Sequence, residues 1–414
     1  MVYMRKRCDI IRKTNPFAGC HMLIYYRFNN FCSFHCESEF SMNAPTGKVK
    51  KRFPDNFVET PDGGALLKSA VIVGENAGGK SNFINSLKYL KSLFVTNSLV
   101  KAVRPYINAA SLMEEKNPVQ KFELCFTSGS GKIYVYHLHL DESGILYEEL
   151  QSLKKRNAAA ATLFKAIKQE DGTWVASTKQ AGGLAGNINK FLAEDSMGLL
   201  VSKFALLGDE DAKAVVEWMT EVLYPEALAS DHLQDVFRRE ADLKILKDER
   251  YLEIFRMVDY SICSIELDQE KPYSKTVIVR KDENGNEFRR EVQMDSTGVR
   301  EFFAWAVHIF RVVYENKVVF ADEMDRVLNP ILADRVIAFI NGTEHHGQFI
   351  FSTHNVLHLD LKTYMKEQIY FVTKNREQLT SEMYSLSDFP EVRYETTKIY
   401  EFYMKGILGG TAFE

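Results

Sequence analysis

The spacing of apolar residues changes along the chain between the period of a strand and that of a helix. Small and β-branched residues fill Ser69–Val73, which predicts a buried strand. A glycine-rich loop follows, and apolar residues then recur at helical spacing, at Phe83, Leu87, Leu90 and Leu93. The pattern therefore predicts a strand, a loop and a helix in direct succession.

Three further runs predict neighbouring strands, namely Lys121–Phe126, Ile133–Leu140 and Gly144–Leu150. The middle run alternates as IYVYHLHL, which is typical of a strand with one buried face. From about Asn187 to Met257 the apolar spacing becomes helical. We therefore expect an antiparallel side sheet, followed by a helical insertion.

The last third of the chain predicts a parallel sheet. An Asn-Gly turn inside DENGNE indicates a hairpin, and an amphipathic helix follows at about Val299–Tyr314. Strands at Lys317–Ala321 and Gln348–Ser352 flank a helix near Ile331–Ile340, and this order implies a βαβ unit. The expected fold class is α/β, with a mainly parallel core sheet, an antiparallel side sheet and a helical lid insertion.

Composition and charge narrow the class of protein. The 414 residues carry 52 Lys and Arg against 56 Asp and Glu, a net charge of −4. This balance argues against a protein whose whole surface binds nucleic acid, and leaves Lys48–Arg52 and Lys154–Arg156 as local candidates for DNA contact. Six irregularly spaced cysteines, no leading signal sequence and no apolar run of about 18 residues predict a reduced, cytoplasmic protein without a membrane segment.

The loop Gly74–Ser81 reads GENAGGKS and matches G-x-x-x-x-G-K-[ST] between a strand and a helix. Glycines in such a loop let backbone N–H groups face phosphate oxygens, and the helix dipole favours the anion. Lys80 would reach the β- and γ-phosphates, and Ser81 would offer a hydroxyl to Mg²⁺. The residues predicted to bind ATP are Gly74, Glu75, Asn76, Ala77, Gly78, Gly79, Lys80, Ser81 and Asn82.

Two neighbouring strands end in residues suited to hydrolysis. The strand of VVFADE ends in Asp322 and Glu323, and a buried strand cannot keep two acids inside without a partner such as a metal. We expect Asp322 to bind Mg²⁺, directly or through water, and Glu323 to orient and deprotonate the attacking water. His354 follows the next strand and should emerge at the same carboxyl edge, within reach of the γ-phosphate. Lys80, Glu323 and His354 are the predicted catalytic residues.

A second candidate segment, Asp295–Arg300, reads DSTGVR and lies between the hairpin and the amphipathic helix. It offers a hydroxyl, a flexible glycine and a helix N-terminus. By itself this combination predicts only a helix cap.

The ordered set GENAGGKS, DSTGVR, VVFADE and STH resembles the ABC-type ATPase heads, the group that includes SMC, repair-protein and OLD-like ATPases. The similarity is closer to bacterial ATP-binding proteins of the abortive-infection and RloA-like branch, often called AAA-type. ADEMDRVLNPIL looks like the Walker B motif and D-loop of that branch, and QIYFVTK, MYSLSDF and YMKGILGG look like its C-terminal part. The resemblance covers about Met22 to Glu414 and implies a P-loop NTPase fold of the ABC-ATPase type.

The resemblance also implies a mechanism. In these heads the segment like DSTGVR is the signature that presses on ATP bound by the other subunit. Ser296, Thr297 and Gly298 would therefore act in trans, in a homodimer or a higher oligomer. ATP and Mg²⁺ are the implied ligands.

Three positions depart from the family pattern or do not fit it clearly. Asn329 stands where this branch usually has a histidine in its D-loop. Cys32 stands where relatives often carry a basic residue near the nucleotide. Gln120 is a candidate for the glutamine that contacts Mg²⁺ in the family.

These predictions divide the chain into four segments. We expect an extension or tail at 1–21, an ATPase lobe with the phosphate loop and side sheet at 22–186, a helical lid at 187–260, and the rest of the ATPase at 261–414. The last segment holds the signature, the acid pair and the histidine.

The expected function is ATP hydrolysis by a dimer that sandwiches ATP and controls a separately encoded nuclease or toxin in phage defence. No TOPRIM-like nuclease domain is expected after His354, so nucleic-acid cutting would come from a partner. Two alternatives stay open. One is a DNA-repair or chromosome-structure head that binds DNA directly, and the other is a nucleotide sensor with little turnover.

Overall fold

The computed structural model describes residues 20–60, 62–96, 106–156, 158–178, 198–226, 240–356, 359–375, 377–395 and 397–409. Residues 1–19 of the expected extension and residues 187–197 and 227–239 of the expected lid lie outside these ranges. The chain forms two compact units, each assembled from separate segments. The first unit comprises Met1–Ala44, Val58–Leu66 and Tyr89–Leu223, and the second comprises Pro45–Phe57, Leu67–Lys88 and Tyr224–Glu414.

The predicted strands and helices occur in the predicted order, and the structure adds further elements between them. The strands are β1 (Leu23–Asn29), β2 (Ser38–Ser41), β3 (Phe57–Glu59), β4 (Ala65–Leu67), β5 (Ser69–Val73), β6 (Gln120–Thr127), β7 (Ile133–Asp141), β8 (Gly144–Leu153), β9 (Ala161–Lys168), β10 (Trp174–Thr178), β11 (Leu223–Glu226), β12 (Ile262–Glu266), β13 (Val277–Lys281), β14 (Glu287–Glu291), β15 (Val318–Ala321), β16 (Gln348–Thr353), β17 (Ile369–Lys374) and β18 (Ser381–Ser385). The α-helices are α1 (Lys48–Arg52), α2 (Lys80–Thr96), α3 (Ala109–Glu114), α4 (Leu200–Leu206), α5 (Glu210–Glu217), α6 (Glu240–Leu246), α7 (Glu249–Phe255), α8 (Pro272–Lys275), α9 (Thr297–Glu315), α10 (Pro330–Gly342) and α11 (Ile399–Met404). Within the described ranges, no helix is long and apolar enough to cross a membrane.

The first unit contains a seven-stranded sheet with the order β10-β9-β8-β7-β6-β1-β2. All of its neighbouring strands pair antiparallel, which confirms the antiparallel sheet expected from the alternating run in β7. Glu148 on β8 is fully buried and accepts hydrogen bonds from the backbone N–H groups of Leu200 (2.7 Å) and Val201 (2.9 Å). A strand carboxylate therefore satisfies the first N–H groups of α4, which would otherwise lack partners.

The second unit contains a six-stranded sheet with the order β11-β15-β16-β5-β17-β18. Strands β15, β16, β5 and β17 pair parallel in that order, and β18 pairs antiparallel to β17. Every residue of β5, β15 and β16 is buried, as the continuous apolar runs of a parallel sheet require when both faces are covered. The predicted parallel sheet is therefore confirmed. A separate three-stranded antiparallel sheet, β12-β13-β14, contains the predicted hairpin.

Strand β11 was not expected. It lies inside the segment 187–260, where the sequence pattern predicts helices, and it forms the edge of the six-stranded sheet next to β15. Four residues, LYPE, are too few to show a strand period between helical runs, and an edge strand tolerates Pro225 because one side of it needs no N–H donor. The described parts of 187–260 fall in both units, and the boundaries of a lid stay a prediction.

Helix α9 covers the parallel sheet of the second unit. It has 19 residues and buries a continuous apolar face against the sheet, with the Trp305 ring 6.2 Å from the Phe349 ring of β16. Its carboxyl end passes the start of β16, where a Cβ on Gly347 would collide with the carbonyl oxygen of Val312. The helix therefore runs antiparallel to β16. At about 1.5 Å per residue of helix and 3.3 Å per residue of strand, its N-terminus at Ser296 extends towards the carboxyl edge of the sheet.

Candidate nucleotide site

The strand registers of the second unit bring the predicted motifs to one edge. The pairing of β15 with β16 places Asp322 beside Ser352. The pairing of β16 with β5 places His354 beside Gly74. The phosphate loop, the acid pair and the histidine therefore meet at the carboxyl edge of the parallel sheet, which is where open α/β sheets bind ligands.

The phosphate loop reverses the chain within a few residues after β5. Ala77 and Gly79 both have positive φ angles, 62° and 118°. The Gly78 N–H donates to the Glu75 carbonyl (3.1 Å), and the first helical bond of α2 runs from the Phe83 N–H to the Gly79 carbonyl (3.0 Å). A φ of 118° is accessible to glycine without strain, so the loop geometry requires Gly79.

Two other glycines of the loop are required by a close approach of β17. The carbonyl oxygen of Val372 lies against both Gly74 and Gly78. A Cβ on Gly78 would lie 2.8 Å from that oxygen, and one on Gly74 would lie closer still. The glycine pattern of the loop is therefore explained by packing against the neighbouring strand as well as by phosphate binding.

Lys80 is buried at the start of α2, with 5% of the residue exposed. Its ammonium donates to the carbonyl oxygens of Gly74 (2.7 Å) and Glu75 (2.9 Å). Burial lowers the pKa of Lys80, and the nearby carboxylates of Asp322 and Glu323 oppose that change. A desolvated cation held over a loop of N–H groups is a suitable partner for an anion such as a phosphate.

Ser81 and Asp322 supply the oxygen ligands that Mg²⁺ prefers. Ser81 is exposed in the first turn of α2, and Asp322 is half-buried at the end of β15. The Ser352 hydroxyl donates to the Asp322 carboxylate and accepts the N–H of Glu323 (2.8 Å). A hydroxyl and an oriented carboxylate at one sheet edge fit a magnesium ion, which would neutralise phosphate charge when bound.

Glu323 adopts a left-handed backbone conformation, with φ 50° and ψ 54°. This conformation costs a residue other than glycine about 1–2 kcal/mol, and the Ser352 hydroxyl holds the Glu323 N–H in place. The carboxylate pairs with Arg326 at 2.8 Å, and the Arg326 side chain is 60% exposed. An exposed pair of this kind contributes about 1 kcal/mol or less, so Glu323 can exchange Arg326 for a water molecule at little cost.

His354 is exposed immediately after β16. Its backbone N–H donates to the carboxylate of Asp325 (3.1 Å), which lies in the single helical turn after the acid pair. The loop after β15 therefore positions the backbone of His354, and its imidazole stays accessible at the sheet edge.

The signature segment is exposed at the start of α9. Ser296 caps α9, because its hydroxyl accepts the Val299 N–H (3.4 Å), as the helix-cap interpretation predicts. Ser296, Thr297 and Gly298 are all exposed, and no described atom lies within 4 Å of a Cβ built on Gly298. Gly298 thus faces open space in the first turn of α9.

A half-buried arginine holds the base of this segment. Arg280 on β13 forms ion pairs with Asp295 (2.8 Å) and with Asp259 (2.7 Å). The Asp295 side chain is only 6% exposed, and its carboxylate also accepts the Ser296 N–H (2.8 Å). Burial raises the pKa of Asp259, but hydrogen bonds from Arg280 and Ser261 outweigh it, so the net pKa is lowered. The signature turn is exposed, whereas its base is fixed.

The D-loop departure has a local structural role. The Asn329 side chain accepts the Leu332 N–H (3.0 Å) and caps α10, with Pro330 in its first turn. An asparagine is among the best helix caps, so this position favours helix formation. The need for a cap at the start of α10 therefore accounts for an asparagine at position 329.

The other two positions belong to the first unit. Cys32 is half-buried with φ 51°, its N–H donates to the Tyr106 carbonyl (2.7 Å), and burial raises its pKa to about 11, so the thiol is neutral near pH 7. Gln120 is fully buried, and its amide nitrogen donates to the carbonyls of Asn30 (2.9 Å) and Tyr106 (3.0 Å). The amide oxygen has no hydrogen-bond partner among the described residues, and the assignment of Gln120 as the magnesium-contacting glutamine stays a prediction.

Four side chains of the site could not be assigned from sequence alone. Ser352 lies inside the STH motif, where its small hydroxyl beside the acid strand was the available signal. Asp325 follows the acid pair directly. Arg280 and Ser381 carry no motif, and Ser381 contacts the loop from 303 residues away.

A mainly parallel sheet with a glycine-rich phosphate loop after β5 and acids after β15 defines a P-loop ATPase fold of mixed α/β type, accompanied by antiparallel sheets. Residues 69–360 match the family described as "AAA domain, putative AbiEii toxin, Type IV TA system", and the chain belongs to this family. The resemblance to ABC-like, AAA-type proteins of abortive infection is thereby confirmed at the level of the family.

Solved structures similar to the chain include SMC heads. The SMC head domain from Thermotoga maritima is 14% identical, with a TM-score of 0.43 over 88% of this chain and 98% of that chain. An Smc head bound to the C-terminal winged-helix domain of ScpA is 15% identical, with a TM-score of 0.46 over 88% and 97%. An Smc head with an extended coiled coil, bound to the C-terminal domain of ScpA derived from Pyrococcus furiosus, is 15% identical, with a TM-score of 0.43 over 88% and 96%. No curated protein matches the sequence.

Proposed function

We propose that the protein is a cytoplasmic ABC-type ATPase whose dimer sandwiches ATP and controls a separately encoded nuclease or toxin in phage defence. The observation that carries this proposal is the meeting of Lys80, Asp322 and His354 at one edge of the parallel sheet. A cation, a metal-binding acid and a histidine in this order fit a nucleoside triphosphate with its γ-phosphate towards the acids.

Each residue at the sheet edge has a role in hydrolysis under this proposal. The loop N–H groups and Lys80 bind the phosphates, and Ser81 and Asp322 hold Mg²⁺. Glu323 takes a proton from a water molecule, whose oxygen attacks the γ-phosphorus while the bond to the β–γ bridging oxygen breaks. General-base assistance of this kind contributes on the order of a hundredfold or more. His354 contacts the γ-phosphate and so responds to its loss.

The dimer rests on the exposure of the signature turn. Ser296 and Gly298 form an open helix N-terminus that is suited to an anion, and the anchored Asp295 keeps it in one orientation. A C₂ pair would place each signature turn on the ATP of the other chain and make the two sites equivalent. Hydrolysis would then release the contact between the chains.

Light scattering tests the sandwich. We expect Glu323→Gln to dimerise with ATP, because it binds the nucleotide and retains it, and we expect Ser296→Arg to stay monomeric and to lose hydrolysis. A Glu323→Gln protein that stayed monomeric with ATP, together with normal hydrolysis by Ser296→Arg, would rule out the dimer.

A mixing experiment separates action in trans from action within one chain. Lys80→Ala and Ser296→Arg should each be inactive alone. In a mixed dimer, the loop of the Ser296→Arg chain faces the intact signature of the Lys80→Ala chain, which restores one of the two sites. Recovered ATPase activity on mixing supports the trans arrangement, and a mixture as inactive as its components contradicts it.

The family description supports one part of the proposed cellular role, a separately encoded partner. It reads "putative AbiEii toxin, Type IV TA system", and a toxin–antitoxin system has two components, so the partner could equally be an antitoxin. We therefore expect the product of a neighbouring gene to copurify with this chain in a manner that depends on ATP. A neighbouring product that copurified equally with wild type and Lys80→Ala would contradict control by nucleotide.

Direct DNA binding is the second candidate function, and one observation favours it. In the basic helix α1, Lys48, Lys51 and Arg52 are exposed. The other basic run offers less, because Arg156 is tied to Asp62 by an ion pair at 2.9 Å. DNA-stimulated hydrolysis that falls steeply with salt and disappears in a Lys48→Glu, Lys51→Glu double variant would support this function. ATP bound without turnover in the same assay would favour the sensor.

A further inference from the structure

We propose that Ser381 positions the phosphate loop by holding the peptide between Gly78 and Gly79 in one orientation. This inference rests on the proposed function, because it assigns Ser381 to nucleotide binding at the same site. Ser381 begins β18 and is 3% exposed. Its hydroxyl donates to the Gly78 carbonyl oxygen at 2.6 Å.

The sheet explains how a residue so distant in sequence reaches the loop. Strand β17 lies parallel to β5, and Phe371 pairs with Val73, the last residue before the loop. Strand β18 returns antiparallel to β17, so that Ser381 pairs with Lys374, beyond the carboxyl end of β5. The start of β18 is therefore level with the phosphate loop.

Because the peptide bond is planar, the hydrogen bond from Ser381 to the Gly78 carbonyl also fixes the direction of the next backbone donor, the Gly79 N–H. In a trans peptide, the carbonyl and the following N–H point to opposite sides. With the Gly78 carbonyl directed to Ser381 on the β18 side, the Gly79 N–H points away from β18. This N–H has no hydrogen-bond partner among the described residues. It is therefore free to face a phosphate oxygen, as N–H groups of such loops do.

The peptide between Gly78 and Gly79 is easy to turn over. Glycine populates positive and negative φ about equally, so a peptide between two glycines has little intrinsic preference for either orientation. The Val372 carbonyl oxygen lies against Gly78 and leaves no room for a side chain there that could hold the peptide by packing. The Ser381 hydroxyl selects the orientation in which the Gly79 N–H points away from β18.

The predicted effect of removing this hydroxyl follows from the value of one hydrogen bond. A net hydrogen bond contributes about 0.5–1.5 kcal/mol, which corresponds to a change in Kd of roughly two- to tenfold. We expect Ser381→Ala to raise the Kd and KM for ATP by this factor, with kcat at saturating ATP within about twofold of wild type. A purely structural role would lower thermal stability without this split between KM and kcat.

A matched control lies on the same strand. Ser385 is 7% exposed and its hydroxyl donates to the Lys366 carbonyl oxygen (3.4 Å), away from the loop. Ser385→Ala should leave the Kd for ATP unchanged. If Ser381→Ala does not fold, Ser381→Thr and Ser381→Val give a pair of equal shape that differs in the hydroxyl, and the threonine variant should bind ATP more tightly.

Titration of a fluorescent ATP analogue decides the matter. The inference is supported if Ser381→Ala binds more weakly than both wild type and Ser385→Ala, and if Ser381→Thr restores affinity relative to Ser381→Val. It is overturned if wild type binds and Ser381→Ala binds equally well, or if Ser385→Ala weakens binding by the same factor. A wild type that does not bind ATP would instead overturn the proposed function.

Discussion

The phosphate loop and the signature turn of the second unit differ in how the surrounding chain supports them. The base of the loop is packed, with Lys80 buried over its start and the Val372 carbonyl against Gly74 and Gly78. Asn76 and Ala77, at the tip of the loop, are exposed. The signature turn is exposed, and a side chain on Gly298 would meet open space. Both belong to the predicted nucleotide site. The phosphate loop is supported by contacts within its own chain, whereas the signature turn is exposed on the surface.

This difference indicates a division of labour. Under the proposed function, nucleotide affinity depends on the packed half, because pre-oriented N–H groups and a fixed ammonium bind an anion without reorganisation. The exposed half would act on the nucleotide of the other chain. We therefore expect variants of the loop to lose binding, and variants of the signature to lose turnover while they retain binding.

The largest effect should come from Lys80→Ala. Loss of a charge-assisted contact to phosphate should weaken ATP binding by about a hundredfold. Lys88→Ala changes an exposed lysine of the same helix and should bind ATP normally. Fluorescent ATP titration and circular dichroism measure binding and folding. Equal ATP affinity of Lys80→Ala and Lys88→Ala would show that the phosphate loop does not determine nucleotide binding.

The next largest effect concerns Gly298→Arg. An arginine at this exposed turn should block the approach of a second chain and reduce hydrolysis on the order of a hundredfold, a loss confined to the assembled state. ATP affinity of the monomer should stay within about twofold of wild type. Gly342→Arg, at another exposed glycine with open space around it, serves as the control. Weakened binding by Gly298→Arg alone would show that the turn acts within its own chain.

A smaller effect should follow from Arg280→Met, which removes the anchor of the signature. The ion pairs of Arg280 are intermediate in exposure between a surface pair and a fully buried pair. We therefore expect the free energy of unfolding to fall by about 2 kcal/mol. Hydrolysis should fall about tenfold, since a mobile turn is present in its active geometry less often. Arg289→Met removes an exposed ion pair of the same hairpin and should leave turnover unchanged. Thermal unfolding and steady-state ATPase assays measure both, and a turnover loss shared by both variants would contradict the anchor.

The smallest effect is a pH dependence of the same anchor. The pKa of Asp259 is lowered in the folded protein, so its stabilising contribution is present above the unfolded value of about 3.9 and is lost as the pH falls through the folded pKa. The difference in unfolding free energy between wild type and Arg280→Met should therefore shrink by about 1 kcal/mol or less below pH ~4. Chemical unfolding between pH 5 and pH 3 measures this difference. A constant difference would show that the anchor does not depend on the charge of Asp259.

Sequence reasoning was reliable where a feature is local. The strand Ser69–Val73 agrees with β5 residue by residue, and the helix and acids that follow their strands lie where their spacing predicts them. The parallel registers then bring Asp322 and His354 to the edge that the order of elements implies. Local periodicity and short motifs contain this information because each is complete within about ten residues.

Contacts between distant segments could not be predicted in the same way. The bond from Ser381 to Gly78 depends on strand neighbours that no local pattern specifies. The pair of Arg280 with Asp295 spans only the predicted hairpin, but the turn pattern does not specify which side chains meet across it. Gln120 is a different case, because the fold buries its amide in the first unit and its role as a metal ligand stays a prediction. Strand β11 was missed because four residues between helical runs carry too little periodicity to be recognised.

The position of β5 in its sheet has a consequence for synthesis of the chain. β5 and the loop after it are translated early, but both neighbours of β5, β16 and β17, come from residues 348–374. These pairings have high contact order, so they form slowly and only after most of the chain has left the ribosome. Until then the β-branched strand has two unpaired edges, which are an aggregation hazard for the growing chain. Under the proposed function, ATP would stabilise the folded protein only after β17 has been translated, because the phosphate loop packs against that strand.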